Sequence, residues 1–305
     1  MSNKPVLPNF MIVGSAKCGT SSFARYLQEH PDIFISTPKE PRFISSQFTP
    51  FPLGGPKDAA LENRYVKDYE SYLKLFEGAT EKAIGEASVD NLFFHEQAIP
   101  VIKKTVGTPK IIIMLRNPVK RAFSAYQHMI RDERETLTFE EGMAESKMRR
   151  QENWEFLYSY KEVGLYYQQV KAYMDNFPKV KVIFTEDMGK GPQTVLREVF
   201  EFLEVDPNVE LEQFLKYNLS GVPKNRALHN AINNDKGLVR RMVSPIARAV
   251  LSKAARERIS SRIQESNFDR LEMSEESKAR LIEYYRTDVA QLQKLLDRDL
   301  SNWLA

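Results

Sequence analysis

The run Gly14-Ser15-Ala16-Lys17-Cys18-Gly19-Thr20-Ser21-Ser22 puts a cation, several hydroxyls and two glycines into one short stretch. It follows the apolar segment Phe10 to Gly14 and precedes a helical pattern from Ser21 to His30. Backbone N–H groups left free at a helix start, with the positive end of the helix dipole, make such a stretch an anion cradle. In the nucleotide triphosphatase pattern G-x-x-x-x-G-K-[ST] the lysine follows the second glycine; here Thr20 takes that place and Lys17 lies inside the loop, which speaks against a triphosphate with magnesium. Read alone, the segment is also an ordinary strand-to-helix turn carrying an exposed lysine. A second anion ligand is available at Arg116, where the apolar run Lys110 to Leu115 ends, with Ser124 two turns into the helix that follows. Ligands of open α/β sheets gather at such strand ends, and an arginine there offers charge-assisted, bidentate bonds. A strand-end salt bridge for Arg116, and a backbone-bonded helix hydroxyl for Ser124, are the plainer alternatives.

The segment IVGSAKCGTSSFARYLQEHPDIF resembles the 5′-phosphosulfate-binding segment of sulfotransferases that use 3′-phosphoadenosine 5′-phosphosulfate (PAPS), especially bacterial members related to heparan sulfate sulfotransferases. The resemblance implies that residues Ser15 to Ser22 hold the phosphosulfate, with Lys17 on its bridging oxygen and sulfuryl group. LRNPVKRAFSAY is similar to the family's Arg-x-Pro-x-x-Arg-x-x-Ser motif, which implies that Arg116 and Ser124 hold the 3′-phosphate and leaves Arg121 a structural role. Lys39-Glu40-Pro41-Arg42-Phe43 resembles K-E-x-H-F-F, in which the glutamate is the catalytic base. Glu40 is then the expected base, and Lys39 and Arg42 are expected beside the acceptor. Arg42 stands where the family has histidine, and a close arginine would depress the Glu40 pKa. A surface ion pair of Glu40 with Lys39 or Arg42 is the alternative. Gly85 to Asp90 resembles the acceptor-side segment G-E-[KA]-[ST]-P-x-Y, implying that Ser88 and Asp90 line the acceptor site; otherwise Glu86 and Ser88 cap backbone groups. Ala87 replaces the lysine of the heparan sulfate enzymes and Val89 the proline, which turns the expectation from a polysaccharide toward a small molecule. Asn218 to Arg226 is similar to a late loop closing over the nucleotide, so Ser220, Lys224 and Arg226 complete the expected donor site, with a solvated loop charge as the alternative for the two cations. Gly164 to Leu203 and Leu281 to Trp303 resemble the family's second half and closing helix, so the resemblance runs over nearly the whole chain in order.

The elements that must position these residues alternate. Strands are expected at Phe10 to Gly14, Ile33 to Ser36, Ala83 to Ala87, Lys110 to Leu115 and Val180 to Thr185, with helical patterns between them. The continuous IIIML run suits a strand covered on both faces, and Asn117-Pro118 is a good helix cap and first helical residue. The fold class expected is α/β: a P-loop-like, doubly wound parallel sheet flanked by helices, with a helical C-terminal portion over residues 238 to 305 of one domain spanning 1 to 305. A chain of 305 residues with 42% hydrophobic content can bury such a core.

The balance of 44 basic and 41 acidic residues gives no global field for a nucleic-acid partner. One cysteine and four histidines supply no usual zinc spacing, and no metal is expected. That single cysteine, with no signal-peptide pattern and no apolar run long enough for a bilayer, reads as a cytoplasmic protein. Residues 240 to 262 are basic and interleaved with apolar side chains; contact with an anionic membrane surface is possible there, though a packed lid with a solvated outer face is favoured. The sequence assigns no oligomeric state. The activity expected is transfer of a sulfuryl group from PAPS to a hydroxyl or amine of a small-molecule acceptor, such as one of secondary metabolism, leaving 3′-phosphoadenosine 5′-phosphate (PAP). Phe48, Phe51, Trp154, Phe156, Tyr158 and Tyr160 could line its pocket or belong to the core. Rival expectations are a carbohydrate or lipid acceptor, a P-loop kinase, and a non-catalytic PAPS-binding module.

Overall fold

The computed structural model describes residues 5–211, 222–223, 268–269 and 271–305. Its chain runs β1 (Phe10–Gly14), α1 (Thr20–Gln28), β2 (Ile33–Ile35), α2 (Phe43–Ser46), α3 (Asp58–Glu62), α4 (Tyr69–Lys74), β3 (Ala83–Glu86), α5 (His95–Thr105), β4 (Lys110–Leu115) and α6 (Pro118–Arg131). It continues through α7 (Phe139–Ala144), α8 (Ser146–Gln151), α9 (Tyr166–Asn176), β5 (Val180–Phe184), α10 (Thr185–Lys190) and α11 (Pro192–Leu203). The two-residue strands β6 (Val222–Pro223) and β7 (Phe268–Asp269) pair antiparallel, and α12 (Glu275–Leu296) follows.

β2-β3-β1-β4-β5 is the order of the main sheet, and every pairing in it is parallel. The five expected strands are these five, each within one residue of the expected ends. Successive side chains of a strand face opposite sides, and both sides here are covered. Met11, Val13, Ile111, Ile113 and Leu115 enter one apolar cluster, while Phe10, Ile12, Ile112 and Met114 enter the other. β4 is therefore locked from both faces, which fixes the backbone from which Arg116 leaves. Burying each such large apolar side chain stabilises by about 1.5–3 kcal/mol.

The order also creates a crevice. From β1 the chain crosses toward β2, whereas from β4 it crosses toward β5, so the two connections part at the carboxyl ends of adjacent strands. Open α/β sheets bind ligands at that switch point. The Lys17 loop and the Arg116 turn stand on its two sides.

The last segment braces this end of the sheet. Asn117 Nδ2 donates to the Trp303 carbonyl at 3.2 Å, and the Trp303 ring packs against Tyr166 and Phe184. Asp288 on α12 accepts from the Tyr166 and Tyr167 backbone N–H groups at the start of α9. Ser274 caps α12, its Oγ accepting from Ser277 N at 3.1 Å. Among the described residues no helix is long and apolar enough to cross a membrane. Ser220, Lys224, Arg226 and the basic 240–262 segment lie outside the described residues.

Candidate active site

Gly14 ends β1 with φ +155°, and a Cβ there would stand 2.5 Å from Leu92 Cβ and 2.9 Å from the Val89 carbonyl. Only glycine fits, and the chain turns at once into the loop. The loop is pinned from several elements. Ser15 N donates to the Met114 carbonyl at 2.8 Å, and Thr185 Oγ1 donates to the carbonyls of Cys18 at 2.7 Å and Leu115 at 3.0 Å. Arg116 Nη1 donates to the Lys17 carbonyl at 3.3 Å, and Tyr166 OH donates to the Arg116 carbonyl at 3.1 Å. Arg116 is thus directed across the crevice onto the loop. Asn117 caps α6 by accepting from Val119 N and Lys120 N at 3.0 and 3.1 Å, which fixes the turn that carries Arg116. Ser124 follows on α6, 6% exposed.

Lys17 sits in the left-handed region, φ 69°, and lines a cavity of about 660 Å³. Burial, and then the neighbouring cations Arg131, Arg116 and Arg121, pull its ammonium down from 10.5 to about 8 against the opposing pull of Asp132. Ala16, Gly19, Thr20 and Ser21 share the cavity wall. Ser15 is buried and its Oγ has no hydrogen-bond partner among the described residues. Cys18 turns inward, its Sγ 3.6 Å from Tyr166 OH, and burial pushes its thiol up. Neither Cys18 nor Ser22 belongs to the cavity wall.

The β2–α2 turn brings the second half of the site onto this loop. Lys39 Nζ donates to Ser21 Oγ and to Glu40 Oε1, both at 3.0 Å. Glu40 Oε2 accepts from Arg42 Nη2 at 3.4 Å, and its side chain is 28% exposed to the cavity. Burial pushes the Glu40 carboxyl up, but Lys39 and Arg42 together outweigh it and hold the group below the usual carboxylate range. Arg42 is itself held in place: Nη1 donates to Tyr65 OH at 3.1 Å and to Glu155 Oε1 at 3.3 Å. Its backbone N–H donates to Ser88 Oγ at 3.0 Å, and Ser88 Oγ donates to Glu86 Oε2 at 2.7 Å. Burial pushes Glu86 up to about 8, so it stands protonated at neutral pH behind the turn.

Several expected acceptor-side residues are elsewhere. Ser88 and Asp90 are fully buried and do not reach the cavity; Asp90 instead accepts from Ser45 Oγ at 2.6 Å. Their places in the resembled segment keep them near Glu40, but packing turns both inward to hold the β3 end. Of the six aromatic residues that could have lined a pocket, Phe156 does so. Tyr158 and Tyr160 are core, with Tyr160 OH donating to Glu135 Oε2 at 2.7 Å and Tyr158 OH to the Arg134 carbonyl at 2.8 Å. Phe48, Phe51 and Trp154 are not on the wall.

Other residues reach the cavity without having been singled out: Tyr65, His128, Arg131, Arg134 and Glu155. His128 lies four residues after Ser124 and seven after Arg121, one face of a helix at 3.6 residues per turn, and that spacing was the available signal. Burial, with Lys17, Arg131 and Arg134 nearby, holds its imidazole well below the usual histidine range, so it is neutral at physiological pH. Arg121, on the inner face of α6, is fully buried; one guanidinium nitrogen donates to the Tyr160 carbonyl, while Nε and Nη1 have no partner among the described residues.

The donor set fits an anion. Lys17, with a lowered pKa and no carboxylate bonded to it among the described residues, stands beside loop hydroxyls and across from Arg116, an excess of positive charge that a phosphosulfate would neutralise.

Comparison with known proteins points the same way. The family model described as the Sulfotransferase family matches residues 8–208. The crystal structure of a sulfotransferase from Alicyclobacillus acidocaldarius superposes with a TM-score of 0.76 at 36% identity, covering 98% of this chain and 100% of that one. Among curated relatives, the mouse bifunctional heparan sulfate N-deacetylase/N-sulfotransferase 3 is 25% identical over 98% of this chain and 31% of its own length. Mouse carbohydrate sulfotransferase 15 is 26% identical over 68% of this chain and 46% of its own. The Caenorhabditis elegans N-deacetylase/N-sulfotransferase 1 is 25% identical over 71% of this chain and 24% of its own. The chain therefore spans less than half the length of each of these curated relatives.

Proposed function

Since the chain belongs to the sulfotransferase family, we propose that it moves a sulfuryl group from PAPS to a hydroxyl or amine of a small-molecule acceptor, acting as one domain over residues 1–305. The observation that carries this reading is the meeting of Lys17, Lys39 and Glu40 on one cavity, with Lys39 bonded to both Ser21 of the loop and Glu40. PAPS, when bound, supplies a sulfuryl group on a phosphate leaving group, and no protein nucleophile or metal is needed for its direct displacement.

In this account the loop N–H groups, Thr20, Ser21 and Lys17 hold the phosphosulfate end, and Arg116 with Ser124 hold the 3′-phosphate. Ser220, Lys224 and Arg226, outside the described residues, are assigned to the same donor site. Lys17 places its positive charge where negative charge grows on the departing oxygen, the form of stabilisation that contributes most in preorganised sites. Glu40 takes the proton from the acceptor as it attacks, and Lys39 fixes Glu40 toward the loop, so both partners are held for in-line reaction. Arg42, through Tyr65 and Glu155, keeps the carboxylate turned to the cavity. Neutral His128 can offer or accept a hydrogen bond at the same wall without adding charge.

A carbohydrate acceptor is the second reading, favoured by what the curated relatives are named for. Against it, Ala87 is fully buried at the position where the heparan-type segment carries lysine. Thermal shift with PAP, and separately with ATP and magnesium, tests the donor assignment. Stabilisation by PAP at micromolar concentration is expected; stabilisation by ATP with magnesium alone would replace the reading with a kinase-like one. A metabolite panel supplied with PAPS, read by mass spectrometry, then tests turnover.

A further inference from the structure

We propose that the C-terminal residues Asp288, Arg298 and Trp303 are positioning residues of the donor site: through Tyr166, Asn117 and Glu186 they set the aim of Arg116, and with it the preference for a nucleotide that carries a 3′-phosphate. This rests on the reading of Arg116 as the 3′-phosphate ligand and goes beyond it by naming what holds that arginine.

The guanidinium itself is lightly held. Among the described residues it makes one hydrogen bond, from Nη1 to the Lys17 carbonyl at 3.3 Å, and no carboxylate pairs with it. A long side chain tied at one point takes its direction from its backbone, so the Arg116-Asn117 turn decides where the charge lies. Outside β4 and α6, three hydrogen bonds among the described residues fix that turn. The Arg116 carbonyl accepts from Tyr166 OH at 3.1 Å, Asn117 N donates to Glu186 Oε1 at 2.9 Å, and Asn117 Nδ2 donates to the Trp303 carbonyl at 3.2 Å.

Each of the three leads to the C-terminal segment. The Trp303 link is direct. Tyr166 is reached twice, since its ring meets the Trp303 ring with centres 6.1 Å apart and its backbone N–H donates to Asp288 Oδ2 at 2.8 Å. A helix start leaves N–H groups without intrahelical partners, and Leu165, at the cap of α9, makes no side-chain cap bond. Asp288 supplies the cap from α12, accepting from Tyr167 N as well at 3.1 Å. Burial pushes its carboxyl up to about 6, which leaves it charged at neutral pH, where the positive end of α9 favours it. Packing is close at this point: a Cβ on Gly164 would stand 2.8 Å from Tyr285 OH on α12 and 3.1 Å from Cβ of Pro118, the residue after Asn117. Glu186 is the third route. Its neighbour Asp187 accepts from Arg298 Nη2 at 2.8 Å, and the Arg298 guanidinium carbon stands 4.2 Å from the Phe184 ring centre.

Such positioning implies a selective loss. A turn that drifts takes the arginine from the 3′-phosphate and leaves the 5′ end, held by the Lys17 loop, as it was.

The test uses PAP and adenosine 5′-phosphate (AMP), which differ by the 3′-phosphate alone, with calorimetry for affinity and melting. Tyr166→Phe keeps the ring and removes the bond to the Arg116 carbonyl. Asp288→Asn keeps the shape and removes the charge at the α9 start, and a chain shortened to end at Leu300 lacks the Trp303 contacts. Each should weaken PAP about tenfold and AMP less than threefold, with melting still cooperative; if the shortened chain does not fold, the two point variants decide. In an Arg116→Ala background, Tyr166→Phe should add less than a twofold loss of PAP affinity, because residues acting through one link are not additive. Equal losses of PAP and AMP, unchanged PAP affinity in the point variants, or the full tenfold loss in the Arg116→Ala background overturns the proposal. A wild-type chain that binds PAP no better than AMP, or an Arg116→Ala variant that binds PAP as the wild type does, would instead remove the donor reading beneath it.

Discussion

The Lys17 ammonium should make the enzyme lose donor binding as pH rises. Its pKa of about 8 leaves the side chain about nine-tenths charged at pH 7 and about one-tenth charged at pH 9, since each pH unit changes the ratio tenfold. The free-enzyme profile of kcat/KM for PAPS should therefore be level near neutrality and fall about tenfold per unit above pH 8. Lys17→Arg, whose guanidinium keeps its proton throughout this range, should show reduced activity with no fall before pH 10. The same lowering carries a stability cost whose sign is fixed. Folding disfavours the charged lysine, so the cost is fully present below pH 8 and fades as pH rises toward 10.5, the unfolded value. At about 1.36 kcal/mol per pH unit, it amounts to at most about 3 kcal/mol, and to less once the partial exposure of the side chain is discounted. Lys17→Met should accordingly raise Tm of the ligand-free protein by a few degrees at pH 7 while lowering kcat at least 100-fold. The assays are initial rates of PAP formation from pH 6 to 10 and calorimetric melting of both variants. A profile flat to pH 10, or a basic limb that persists in Lys17→Arg, would refute the reasoning.

Other substitutions test separate links. Glu40→Gln should lower kcat by 10² to 10⁴, roughly the usual worth of a general base, while PAP affinity by calorimetry stays within about threefold. In a pH profile of kcat, the acid limb caused by Glu40 protonation should lie below the ordinary glutamate range, because Lys39 and Arg42 outweigh the effect of burial; a limb above pH 6 would contradict that pairing. Gly14→Ala must push Leu92 or the Val89 carbonyl aside, an overpacking cost of about 1–3 kcal/mol, visible as a lowered Tm and weakened PAP binding. Asn117→Ala removes the cap of α6 at a cost of about 1 kcal/mol and should loosen the Arg116 turn, raising KM for PAPS more than it changes kcat.

The paths of the Lys17 loop and the Arg116 turn were legible because their signals are local. An apolar run, two glycines and a hydroxyl-rich helix start specify β1, the loop and α1, and Asn117-Pro118 after the IIIML run specifies the turn that carries Arg116. The short helices α2, α3 and α10 carry no such signal, since a single turn has too few residues to display a period and is fixed by its contacts. After Thr138 the chain forms two short helices, α7 and α8, that meet at Glu145. The cavity wall was the least legible part. Tyr65, Arg134 and Glu155 come from separate segments and meet only through packing around Arg42, and sequence alone does not separate Phe156, which faces the cavity, from Tyr158 and Tyr160, which face the core. Ser88 likewise lies beside the site in sequence but serves it from behind, as a link between Glu86 and the Arg42 backbone.

The central claim is sulfuryl transfer at the cavity shared by Lys17 and Glu40. Incubating the protein and its Lys17→Ala variant with PAPS and a metabolite extract, and reading products by mass spectrometry, tests it most directly. The account predicts PAP together with at least one compound heavier by the mass of a single SO₃ group, both absent with the variant. Equal product from the Lys17→Ala variant, or no such product while PAP is bound, would contradict it.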